Sequence, residues 1–290
     1  MEKLYARLNG ILSCDPGSRG LIGNIELPDL KMAADLLKNS SRVLIITGFP
    51  ITGMGIGETD GPIGAAAMAY ALMKAGKTPF ILTDKMSSRL CAACMGALGL
   101  PTGSLIAMTL DSTSDDCQLV YDAVMPDLII SIERPGKGKD GHFHNMRGEI
   151  IDDMIADTDW FMTLDIPTIA IGDGGNELGM GAYFSAIKEH VPHGELIAAE
   201  KGCMMPLVAG VSNWWGWGVS ALVASQFGKE CMTTEAQERA QLAACVAAGG
   251  VDGVLKQQIL SVDGMMGGGI SEIHAPICEA LGQYLSQKCE

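Results

Sequence analysis

The chain has 290 residues and a net charge of −14 at neutral pH; 48% of its residues are hydrophobic and 19% charged. That length and apolar share support a core without staples and exclude a disordered chain. The acidic balance excludes nucleic acid and anionic membrane surfaces as partners, because both need basic surface.

Residues 1–30 read as a helical start and a polar loop, "CDPGSRG", without the basic, then apolar, opening of a secretory signal. "LPDLKMAADLLKNSS" (27–41) has helical spacing, and "RVLIITGF" (42–49) is a short β-branched run, the pattern of a buried strand. The Gly-rich loop "PITGMGIGETDGP" (50–62) leads to a helix (63–77) and the strand "TPFILTD" (78–84). The order then repeats, with strands expected near 43–48, 79–83, 104–109, 127–132, 167–171 and 206–211. "NWWGWGVSALVASQFG" reads as a loop and helix, and the tail as largely helical with a glycine cluster at 267–269. No stretch reaches the roughly 18 apolar residues of a membrane span. The alternation predicts an α/β fold, a three-layer, mainly parallel Rossmann-like sheet flanked by helices, forming one domain over 1–290.

Nine cysteines, at 14, 91, 94, 117, 203, 231, 245, 278 and 289, are odd in number and scattered in apolar surroundings. They read as free thiols of a reducing, cytoplasmic protein. Cys91 and Cys94 form a CxxC, but without a second pair or a nearby His they read as small residues of an Ala-rich helix.

In a parallel sheet the ligand sits beyond the carboxyl ends of the strands, so the loops there carry the candidate chemistry. "TGMGIGETDGPIGAAA" is neither a P-loop nor a GxGxxG fingerprint, so no nucleotide cofactor is expected; Glu58 and Asp60 are instead candidates for a divalent cation, Mn²⁺ or Mg²⁺. "IERPGKGKDGHFHNMRGE" (132–149) reverses the acidic balance. Arg134, Lys139, Asn145 and Arg147 there are candidates for an anionic group, and His144 with Asp140 for proton transfer or, with His142, for a metal. "PTIAIGDGGNELGMG" (167–181) sets Asp173, Asn176 and Glu177 among five glycines. That stretch suits a hard cation or an ammonium group, with Asp173 and Glu177 as ligands or proton acceptors and Asn176 toward substrate. In "AGVSNWWGWGVS" (209–220) the tryptophans read as core or as an oligomer interface, and Asn213 belongs to the site.

These stretches together resemble the D-glutamate cyclase-like family. The resemblance is carried by "TGFPI" with "ETDGPIGAAAMAYAL", "ILTD", "ERPGKGKDGHFHNMRGEII", "IPTIAIGDGGNELGMG" and "VAGVSNWWGWGVSAL", in family order over about residues 43–222. It implies a single α/β domain and a hydro-lyase that converts D-glutamate to 5-oxo-D-proline and water. Proteins in this fold family have also been linked to manganese-dependent phosphatase activity, so a metal-dependent phosphohydrolase using the same acidic pocket is the alternative. A non-catalytic small-molecule sensor is the second. The expected partner is a small anionic substrate, an amino acid or a phosphate compound, and a homo-oligomer is expected. The animal relatives are mitochondrial, whereas no basic, acid-poor presequence opens this chain.

Overall fold

The computed structural model describes residues 1–288; Cys289 lies outside them. Six strands form one parallel sheet: β1 (Arg42–Thr47), β2 (Thr78–Asp84), β3 (Leu105–Met108), β4 (Leu128–Ile132), β5 (Thr168–Gly172) and β6 (Met205–Val208). Their spatial order is β3-β2-β1-β4-β5-β6, with every neighbouring pair parallel. Each expected strand is present; the last stops at Val208, short of the expected 211.

The sheet is buried on both faces, which explains why its strands read as continuous apolar runs. Val43 and Ile45 face one core and Leu44 and Ile46 the other, the period-2 alternation of a strand. On the larger side lie α1 (Glu2–Leu12), α2 (Leu30–Asn39), α3 (Pro62–Lys74) and α4 (Ser88–Ala97). The opposite face is covered by α5 (Ser114–Val124) and by the segment around Phe161. Local signals fix the helix starts: Asp29 accepts hydrogen bonds from Lys31 N and Met32 N, and Thr113 and Asp116 form a capping box on α5. Two short helices, α6 (Phe184–His190) and α7 (Gly194–Ile197), follow β5. The chain ends in α8 (Ser212–Phe227), α9 (Glu235–Ala247) and α10 (Ala275–Lys288). No described helix is long and apolar enough to cross a membrane.

The stretch read as a loop before a helix, "NWWGWG", is helical from Ser212. The reason is packing. Fourteen of the sixteen residues of α8 are buried, and Gly216 lets it press on Gly64 of α3: a Cβ at Gly216 would stand 2.5 Å from Gly64 Cα. Trp214 and Trp215 donate their indole N–H to Gly268 O and Val208 O, so these tryptophans are core residues of the chain.

Candidate active site

The strand order reverses direction between β1 and β4, and the crevice beyond their carboxyl ends is where such sheets hold ligands. Loops converge there from four strands. Glu58 and Asp60 follow β1, Glu133 follows β4, Asp173 to Glu177 follow β5, and Ser212 and Asn213 follow β6. Two helices interlock beneath them. Asp60 Oδ1 accepts from Asn213 N at 2.8 Å and Oδ2 from Ser212 N at 2.8 Å, at the first turn of α8. In return Asn213 Oδ1 accepts from Gly61 N at 2.9 Å and Gly64 N at 2.7 Å, at the first turn of α3. Each helix thus supplies the cap of the other.

Glu133 sits in the left-handed backbone region, φ 41°, which costs a non-glycine residue conformational energy and marks a constrained position. Ser212 Oγ donates to its Oε2 at 2.6 Å. One oxygen from each of Asp60, Glu133 and Asp173 lies within 4.8 Å of the others, and all three residues are buried. Asp173 gives Oδ1 to the Arg19 guanidinium, while its buried Oδ2 has no hydrogen-bond partner among the described residues.

Arg19 and Asp263 had no counterpart in the sequence-based site. Arg19 arrives from the polar loop after α1 and pairs with both Asp173 and Asp263. Asp263 sits in the Asp-Gly turn between the short strands Ser261–Val262 and Met265–Met266, at φ 49°, with Gly264 at 80°. The dipeptide is a hairpin signal, but the sequence carries nothing to show that the hairpin folds back over the sheet.

Burial sets the electrostatics. It pushes Glu133 well above the usual carboxylate range, reinforced by Glu177, Asp60 and Glu58. It does the same to Asp173 against the opposing pull of Arg19. Glu58 rises through burial and then Asp263 and Asp60. Asp60 is lifted to about 7 by burial and Asp263, although the amides of Asn213 and Ser212 favour its charged form. Carboxylates gathered out of water need a proton or a cation.

Above this group opens a cleft of about 450 Å³. Its floor includes Glu58, Glu133, Asp263 and Arg19, and around it stand Asn145, Arg147, Asn176 and Lys256. Arg147 and Lys256 are exposed. Glu149, also exposed, lines the same mouth, so the mouth has a small basic excess, while the base sets three acids against Arg19.

Several candidates from the sequence have other partners. Glu177, read as a base or metal ligand, accepts backbone N–H groups from Asp173 (3.0 Å), Gly174 (2.7 Å) and Gly175 (2.7 Å). A carboxylate so occupied shapes the glycine turn, and it is Glu133 that stands with Asp60 and Asp173. Arg134 is fully buried; it pairs with Asp84 at 2.6 Å and donates to Thr158 Oγ1 and Ala156 O, leaving its guanidinium no path to an anion in the cleft. His144 is buried, with Nε2 on Asp140 at 2.9 Å and Nδ1 3.3 Å from Gly148 O. Lys139 lies over the Phe184 ring, 3.5 Å from its centroid. Asn176 Nδ2 donates to His144 O and ties the glycine turn to the basic loop.

A human protein named D-glutamate cyclase, mitochondrial, is 32% identical over 231 residues, which is 73% of this chain and 37% of that protein. The chain thus spans little more than a third of that relative's length. The family described as D-glutamate cyclase-like, C-terminal, matches residues 8–277, so that every cleft residue named above falls within the match. The chain belongs to the D-glutamate cyclase-like family.

Proposed function

We propose that the chain is a lyase that cyclises D-glutamate to 5-oxo-D-proline and water. The observation that carries the reading is the charge distribution of one cleft, with Glu58, Glu133 and Asp263 outnumbering Arg19 at the base and Arg147 and Lys256 outnumbering Glu149 at the mouth. Glutamate presents one ammonium and two carboxylates, and a cleft of this polarity takes the ammonium inward. The family match and the relative's name support the same class of reaction.

In the reaction the amine nitrogen attacks the γ-carboxyl carbon, a C–N bond forms, and one C–O bond breaks. The ammonium loses two protons, and the departing oxygen gains two as water. In this reading Glu58 holds the ammonium and accepts a proton, while Asp263, held by Arg19, adds negative charge beside it. On the same reading Arg147 holds the carboxylate that does not react. The departing oxygen needs positive charge or a proton at the base of the cleft, beside Asp60, Glu133 and Asp173. Both reacting groups belong to one molecule, so fixing the folded conformer lowers the barrier further. The mostly buried free thiols fit a reducing compartment, and a cytoplasmic location is proposed on that ground.

The test is incubation of the purified full chain with D- or L-glutamate, with chiral chromatography of 5-oxoproline. Product from the D enantiomer is expected. Its absence from a sample that melts cooperatively would overturn the reading, and hydrolysis of an aryl phosphate by that sample would move it to a phosphohydrolase.

A further inference from the structure

We infer that Asp60, Glu133 and Asp173 form a binding site for one hard divalent cation, which supplies the positive charge that the proposed cyclisation needs at the base of the cleft. The inference rests on that reading for its chemical role but not for the existence of the site.

Three features carry it. First, one oxygen from each residue lies within 4.8 Å of the other two. Oxygens around a six-coordinate Mg²⁺ stand about 3.0 Å apart when adjacent and about 4.2 Å when opposite, and somewhat farther apart around Ca²⁺, so the three oxygens are near enough to draw together on one ion. Second, Asp173 Oδ2 is buried without a partner while the same carboxyl's Oδ1 is held by Arg19. A buried carboxylate oxygen left without a donor is costly, and a cation is the group that it lacks. The Thr47 hydroxyl, also fully buried and unpartnered among the described residues, lies against the space left by Gly61, which the Glu133 Cβ borders as well. Third, the charges do not balance. Glu58, Asp60, Glu133, Asp173, Glu177 and Asp263 gather around one guanidinium, Arg19, which is shared between Asp173 and Asp263. Two further positive charges reduce that excess without reversing it.

The ligands are also preorganised. Asp60 is fixed by the first amides of α8, Glu133 by Ser212 Oγ, and Asp173 by Arg19. Fixed oxygens suit a cation with defined geometry, and a hard cation there polarises a carboxyl oxygen.

The experiment is titration of the full chain with Mn²⁺ alone, free ion being followed by its electron paramagnetic resonance signal, with Mg²⁺ and Ca²⁺ as competitors. One Mn²⁺ per chain is expected, weakened at least 10-fold in both Asp173→Asn and Glu133→Gln and little in Glu58→Gln, which lies outside the set. Mn²⁺ should also raise the melting temperature of wild type but not of Asp173→Asn. Lack of saturable binding by cooperatively melting wild type, or unchanged affinity in both variants, would overturn the inference. Mn²⁺ bound as expected without turnover of D-glutamate would uphold the site and sink the cyclase reading. Turnover unaffected by chelator in a chain that binds no Mn²⁺ would do the reverse.

Discussion

The floor and the mouth of the cleft are built by opposite means. The floor is held by the frame of the fold: strand ends, the first turns of two helices, and buried carboxyl groups fixed by backbone amides at Asp60, by Ser212 Oγ at Glu133 and by Arg19 at Asp173. The mouth is made of exposed side chains on loops, and Arg147 is its clearest member. One segment, 132–149, contributes to both. Arg134 at its start is sunk in the protein against Asp84, while Arg147 near its end faces solvent at the cleft. Residue type therefore says little about role; the partners decide whether an arginine is structure or receptor.

The comparison breaks first at Arg134. Arg134→Ala leaves Asp84 buried and uncompensated, a loss of about 3–5 kcal/mol that is expected to abolish cooperative urea unfolding or lower its midpoint steeply. An unchanged midpoint would mean that this arginine is not structural. Next comes Asp173→Asn, which keeps the shape of the floor but removes a charge. Turnover of D-glutamate is expected to fall about 10²–10⁴-fold with the melting temperature nearly kept; equal turnover would remove Asp173 from the chemistry. Glu177→Gln puts an amide N–H₂ against N–H donors of the glycine turn. It is expected to cost about 1–3 kcal/mol of stability, measured by urea unfolding. A large loss of turnover at full stability would return Glu177 to catalysis.

A buried carboxyl away from the cleft sharpens the contrast. Burial lifts Glu238 from 4.5 to about 7. A raised folded-state value means that the contribution of this group to stability is fully present below about pH 4.5 and lost as pH rises to about 7. Glu238→Gln removes that dependence, so the variant's melting temperature should gain on wild type between pH 5 and pH 8. A constant difference across that range would refute the assignment. The smallest effect is expected at the mouth. Arg147→Ala should raise KM, with kcat less changed and the melting temperature kept, because an exposed side chain that holds substrate throughout the reaction contributes to binding alone. A fall in kcat with KM kept would place Arg147 at the reacting carboxyl instead.

Much of the frame was legible in the sequence. Short β-branched runs separated by helical spacing located all six strands, and the strand-end rule pointed to Glu58, Asp60, Asp173 and Asn213. What escaped were contacts made over long stretches of chain. Arg19 meets Asp173 across 154 residues and Asp263 across 244, and nothing local in "CDPGSRG" or "VDGM" encodes either meeting. Glu177, His144 and Arg134 show the converse. Their chemistry was visible, and Asp140 was already grouped with His144, but the three backbone amides on Glu177 and the Asp84 carboxylate on Arg134 were not.

The interlocked caps of α3 and α8 have an evolutionary consequence. The helices touch at Gly64 and Gly216, within a turn of the residues that cap them. A methyl group at either glycine forces the axes apart and draws Asp60 and Asn213 away from each other, though neither glycine reaches the cleft. Selection on the chemistry would then act on two positions without functional groups of their own. Among homologues Gly64 and Gly216 should be as invariant as the acids, and a substitution at one should be tolerated only alongside an altered pair of caps.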